Sequence, residues 1–146
     1  MAPGVYYIAS GSFSVTGQAT LTGSGVTIVL TQNNTSGYAT VSIAGNASIT
    51  LSAPTSGLTA GLLFVGDRNA PNSSANSFTG GSNVSLTGAL CFPTEQVSYK
   101  GGTSSSSSCT QLIARQITFT GNSQFNSNCT NTGVSPISGI AVVLAE

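Results

Sequence analysis

Six side chains in this sequence carry full charge, Asp67, Arg68, Glu95, Lys100, Arg115 and Glu146, and histidine is absent. Enzymes that cleave polysaccharides need a base and several carboxylates, or a carboxylate pair flanking the glycosidic bond. Asp67 and Glu95 are the only internal acids, and a serine nucleophile would find no histidine as its base. The residue types therefore point to no catalytic residue and to a protein that is not an enzyme. Asp67 and Arg68 lie in the loop Gly66-Asp67-Arg68-Asn69-Ala70-Pro71 and have the chemistry to ligate a metal or a sugar. A short acid among Gly, Asn and Pro is expected instead to cap a turn through its own backbone, with Arg68 bracing the loop. Glu95 follows Pro93-Thr94 at the exit of a predicted strand. The cysteines, Cys91, Cys109 and Cys129, form no Cys-x-x-Cys. Without histidine they lack the ligands and spacing of a zinc site, so neither a metal nor a cofactor is expected.

Composition narrows the classes further. Charged residues make up 4% of the chain and the net charge is zero, against roughly 25% charged in an average domain. Nucleic acid and anionic membranes are recognised by clustered Lys and Arg, which this chain does not have. Hydrophobic residues reach 39%, too many for a disordered Ser/Gly chain, and the apolar runs are too short to span a bilayer. Residues 1–146 read as one domain. The opening Met1-Ala2-Pro3-Gly4 lacks the basic start and apolar stretch of a secretory signal. The expectation is a fragment of a longer exported or membrane-anchored protein, itself not inserted in a membrane.

One short phrase recurs, a β-former, a small or polar residue, Gly, a further small or polar residue and a fifth residue. Its copies begin at Val15, Ile43, Phe78, Tyr99 and Phe119, with glycines Gly17, Gly45, Gly80, Gly101 and Gly121 spaced by 28, 35, 21 and 20 residues. Apolar runs interleave with these copies at Val5 to Ile8, Val26 to Leu30, Leu62 to Val65, Ala89 to Phe92, Leu112 to Ala114 and Ile140 to Leu144. They are short, rich in β-branched and aromatic residues, and bounded by turn formers, as strands are. Stretches such as Ala39-Thr40-Val41-Ser42-Ile43 alternate, placing Val41 and Ile43 on a buried face and Thr40 and Ser42 on a wet one. Repeats of this kind are single turns of a coil. The predicted fold is all-β, a right-handed parallel β-helix of about six short, irregular turns with glycine at its corners.

Cys109 and Cys129 are 20 residues apart, the shortest repeat interval. Residues one turn apart come within bonding reach, so this pair is predicted to form a disulfide. Cys91 lies in the apolar run Ala89-Leu90-Cys91-Phe92 and reads as a buried free thiol. The residues after the corner glycines, Gln18, Asn46, Gly81, Gly102 and Asn122, are placed to stack as a partial amide ladder. Thr16, Thr20, Thr22, Thr40 and Thr50 are placed to form a hydroxyl surface that orders water, or to stand as ordinary outward strand positions. The Ser/Asn/Gly/Pro-rich stretches, among them 66–76 and the serine run 104–108, read as surface loops.

Several phrases, in this order, resemble the C-terminal region of bacterial TadG-like proteins of Flp/Tad pilus assembly. They are Pro3-Gly4-Val5-Tyr6-Tyr7-Ile8, Gly25-Val26-Thr27-Ile28-Val29-Leu30, Thr50-Leu51-Ser52-Ala53-Pro54-Thr55-Ser56-Gly57, Asp67-Arg68-Asn69-Ala70-Pro71 and Leu86-Thr87-Gly88-Ala89-Leu90. Cys109-Thr110-Gln111-Leu112-Ile113-Ala114 and Asn128-Cys129 are similar to that family too, whereas Cys91 stands where the family more often has an aromatic residue. The resemblance implies a bacterial, extracytoplasmic domain of the cell envelope that partners itself or other envelope and pilus proteins. A more distant likeness, through Pro3-Gly4-Val5-Tyr6 and the Thr-rich strands, is to β-solenoid ice-binding proteins. It implies an ice-binding or glycan-binding alternative.

Overall fold

The computed structural model describes residues 1–33, 37–79, 84–100, 109–121, 128–130 and 132–135. Among them the regular structure is all strand, ten segments without a helix. In chain order these are β1 (Gly4–Ile8), β2 (Ser12–Val15), β3 (Thr20–Ser24), β4 (Val26–Leu30), β5 (Thr40–Ile43), β6 (Ser48–Ser52), β7 (Leu62–Gly66), β8 (Ala75–Thr79), β9 (Val84–Lys100) and β10 (Thr110–Thr120). Every pairing between them is parallel. The chain winds as a parallel β-helix with three faces.

The first face stacks β1, β4, β7, the middle of β9 and the start of β10. On the second lie β2, β5, β8, the end of β9 and the end of β10. The third holds β3, β6 and the start of β9. Five rungs are visible on the first two faces among the described residues. The run at 140–144, expected as a further strand, lies outside them.

The register explains the repeated phrase. Val15 pairs with Ile43, Ile43 with Phe78, Phe78 with Tyr99 and Tyr99 with Phe119, so the first residue of each copy occupies one inward column. Ser14, Ser42, Ser77, Ser98 and Thr118 form the outward column beside it. Alternation with period two thus sorts apolar groups inward and hydroxyls outward along the second face. Because a one-residue slip would exchange the two sets, the register is strongly specified.

Inside, aromatic rings touch in sequence along the axis. Phe13 meets Phe64 at 5.8 Å and Phe64 meets Phe78 at 6.0 Å, both edge to face, and Phe78 stacks on Tyr99 at 5.6 Å. Tyr99 continues to Phe119 at 5.9 Å, and Phe92 abuts Phe78 at 6.4 Å. Burial pushes the Tyr99 phenol up to about 12, so the ring stays neutral across the physiological range. At the first rung Tyr6, Ile8, Phe13 and Leu21 are only partly buried, and Met1 packs against the same cluster. Gly23 has no side chain to compete with Met1, whose Cβ lies 3.1 Å from where a glycine Cβ would stand.

At the corner after the second face, Gly17 and Gly45 stack directly. Gly45 has a φ of +77°, and a Cβ there would come within 3.0 Å of the Gly17 backbone nitrogen. Gly121 also has a positive φ, of +72°. Gly80, Gly101, Gly81, Gly102, Asn122 and the serine run 104–108 lie outside the described residues, while Gln18 and Asn46 are exposed at their corners. The corner after the third face is threaded by backbone hydrogen bonds from Gly4 N to Gly25 O, Ala89 N to Gly61 O and Gly88 N to Cys109 O. Here Cys109 is buried and bonded to Cys129, with Cα atoms 4.4 Å apart, as the spacing predicted. The bond lies beside the described residues 132–135, among which Val134 is buried next to Gly61.

Two outcomes follow for stability. Gly17→Ala meets only the backbone conformational cost, about 1–2 kcal/mol, because nothing lies within 4 Å of its Cβ position. Gly45→Ala adds a clash with backbone and loses more, as chemical denaturation will show. Reduction of Cys109–Cys129, closing 20 residues, lowers stability by about 3 kcal/mol, measured by unfolding with and without reductant.

Candidate functional site

The first and second faces meet at a corner whose length changes from rung to rung. On the third rung it is the eight-residue loop 67–74, and on the fourth it is only Pro93-Thr94-Glu95. Where a short corner lies against a long one, side chains must fill the difference. Glu95 turns inward rather than out and is fully buried. Its place is made by Gly66, which pairs with Leu30 in an inward column of the first face. A Cβ on Gly66 would overlap Glu95 Oε1 and stand 3.0 Å from the Phe92 ring. The carboxyl therefore occupies the gap that glycine leaves between Leu30 and Phe92.

Asn76 breaks the apolar column of the second face in a matching way. It pairs with Val97, and its neighbour Ser77 pairs with Ser42, so it sits above Val41 in the core. Its Oδ1 accepts a 2.9 Å hydrogen bond from the Val41 backbone N–H, and its Nδ2 donates at 2.8 Å to Glu95 Oε2. Three rungs are thereby joined by one amide and one carboxyl. Glu95 Oε1 has no hydrogen-bond partner. Burial raises the Glu95 pKa above its ordinary value, the Asn76 hydrogen bond opposes the rise, and the negative charge of Asp67 adds to it.

Asp67 does what its loop chemistry suggested. Oδ1 accepts from the Asn69 N–H at 2.9 Å, an Asx turn, and Oδ2 accepts from the Thr31 hydroxyl at 2.8 Å on the rung before. Arg68 is exposed on the same loop. It acts on Cys91, partly offsetting the rise that burial imposes on the thiol pKa. Cys91 differs from expectation. It is free and half-buried rather than enclosed, because alternation turns Leu90 and Phe92 inward and Cys91 out. Glu95 differs too, standing within β9 as a core residue instead of at a strand exit.

The outer surfaces are chemically distinct. On the first face the outward column is Tyr7, Val29, Val65, Cys91 and Ile113, an apolar strip with Tyr7 71% exposed. The second face carries the five-rung hydroxyl column. On the third, Thr22, Thr50 and Ser85 are in register, as are Ser24, Ser52 and Thr87, with Ser52 Oγ donating to Ser24 Oγ at 3.2 Å. The five threonines singled out from sequence are not one surface. Thr20, Thr22 and Thr50 share the third face, Thr40 belongs to the second and Thr16 follows β2. Among the described residues no three His, Cys, Asp or Glu side chains are grouped to hold a metal. Sequence reasoning missed Asn76 and Gly66, whose signal is a polar residue and a missing side chain in otherwise apolar columns.

No protein-family model, curated protein or solved structure matches this chain.

Asn76→Ala strands the buried Val41 N–H and Glu95 Oε2, and is expected to cost about 3 kcal/mol in equilibrium unfolding. Gly66→Ala is expected to be comparably damaging. Adding Glu95→Ala to Gly66→Ala should restore part of the loss, since the overlap is with that carboxyl; a double mutant no more stable than the single would contradict this packing.

Proposed function

We propose that this chain is a non-enzymatic, extracytoplasmic structural and interaction domain of a TadG-like protein in a bacterial cell envelope, engaged with itself or with other envelope and pilus proteins. The observation that carries the reading is the division of labour between inside and outside. Both internal acids serve the coil, Asp67 as a turn cap and Glu95 in the core, while the apolar strip of the first face and the hydroxyl columns of the other two are uncharged. A rigid, near-neutral coil offers little electrostatic repulsion to a partner and a regular surface to dock on. The disulfide suits an oxidising compartment. The resemblance in the Pro3–Ile8, Asp67–Pro71 and Cys109–Ala114 phrases supplies the pilus-assembly context.

A second reading draws on the third face, where Thr22-Thr50-Ser85 and Ser24-Ser52-Thr87 repeat hydroxyls from rung to rung. It is binding of ice or of a neutral glycan.

The test is photo-crosslinking in bacterial cells that carry the native protein, with p-benzoylphenylalanine in place of Tyr7. Adducts with envelope or pilus proteins are expected, together with adducts between copies where the domain self-associates. Thermal hysteresis of the purified domain would favour the second reading. Turnover of an envelope polysaccharide that is lost on Asp67→Ala or Glu95→Ala would overturn the non-enzymatic one.

A further inference from the structure

The Glu95 carboxyl touches both stems of loop 67–74. Gly66, the last residue before the loop, packs against Oε1, and Asn76, just beyond it, donates to Oε2 at 2.8 Å. Other ties converge on the same loop from the fourth rung. Gln96 Nε2 donates to Asn72 O at 3.1 Å, Gln96 N donates to Ser74 O at 2.9 Å, and Ala70 is buried. This loop is a long insertion in the coil, facing solvent at Arg68 and Asn69. We propose that Glu95 is a proton-operated latch: as the neutral acid it holds loop 67–74 closed against the coil, and on ionisation it lets the loop loosen while the rungs stay paired.

The reason lies in what surrounds each oxygen. Oε2 has its donor in either protonation state, but Oε1 faces Gly66 and Phe92 with no donor. A negative charge there is neither solvated nor paired, and such a charge is strongly unfavourable. The charged neighbour bearing on Glu95 is Asp67, at the stem of the loop, and its sign is the same. Arg68 bears on Cys91. The neighbouring Asn76, Gly66, Phe92 and Val41 bring no charge. Relief comes from letting Asp67 and the loop move outward and water reach Oε1. Because the folded-state pKa of the acid is raised, the stabilisation is complete below the unfolded value near 4.5 and is lost as pH climbs through the folded value.

Amide hydrogen exchange on the intact chain tests this, with rates corrected for intrinsic base catalysis. Between pH 4 and 8 the protection of loop residues 67–74 should fall severalfold as Glu95 ionises, while β5 and β6 keep theirs. In Glu95→Gln the same protection should be independent of pH, whatever its level, since the glutamine amide cannot ionise. Equal slopes in the two proteins would overturn the latch. Where Glu95→Gln does not fold, carboxyl carbon NMR of the wild-type chain decides the matter. Glu95 must titrate above the ordinary glutamate range in step with loop chemical shifts, and titration at or below 4.5 overturns the proposal.

Discussion

Stacking in register is the constraint on which everything else in this coil depends. Each turn must lay its inward side chains on those of the turn before, at the spacing of about 4.8 Å that parallel strands impose. The column Val15, Ile43, Phe78, Tyr99, Phe119 meets that requirement by enlarging from aliphatic to aromatic along the axis. Corners absorb the differences in turn length. Gly45 on Gly17 shows how close the backbones then approach, and Cys109 closes the opposite corner through its bond to Cys129.

That same constraint made much of the fold legible in the sequence. Glycine spacings of 28, 35, 21 and 20 residues equal the separations between residues that pair in the second-face column. The β-former that opens each phrase recurs because each copy must put an inward side chain at the end of a second-face strand on the one before it. Cys109 and Cys129 were readable for the same reason, being one interval apart. The insertion at 66–76 was readable as a surface loop, and what the sequence did not reveal is how the space beside it is filled. Glu95 next to Pro93-Thr94 looks like a solvated strand exit until the register sets it against Gly66, a contact across 29 positions that no local pattern records. Cys91 sits in an apolar run whose members alternate between inside and outside, and composition cannot tell the two apart.

Function was less legible than fold because the chemistry is distributed. A coil expresses its surface as columns, and a column of Ser14, Ser42, Ser77, Ser98 and Thr118 is invisible in a linear reading. The apolar strip on the first face is hidden likewise, its members contributed one per rung. The residue types that would act alone, Asp67 and Glu95, are used for architecture. At one corner they tie a surface loop to the interior, Asp67 through its turn and Glu95 through Asn76.

Register is the claim to test most directly. Cysteines placed at Ser77 and Ser98, outward and paired across β8 and β9, should oxidise to one another readily in a chain with Cys91 changed to Ser and Cys109–Cys129 intact. Cysteine at Ser77 that joins a cysteine at Gln96 or Lys100 in preference to one at Ser98 would contradict the alignment and the stacked coil built on it.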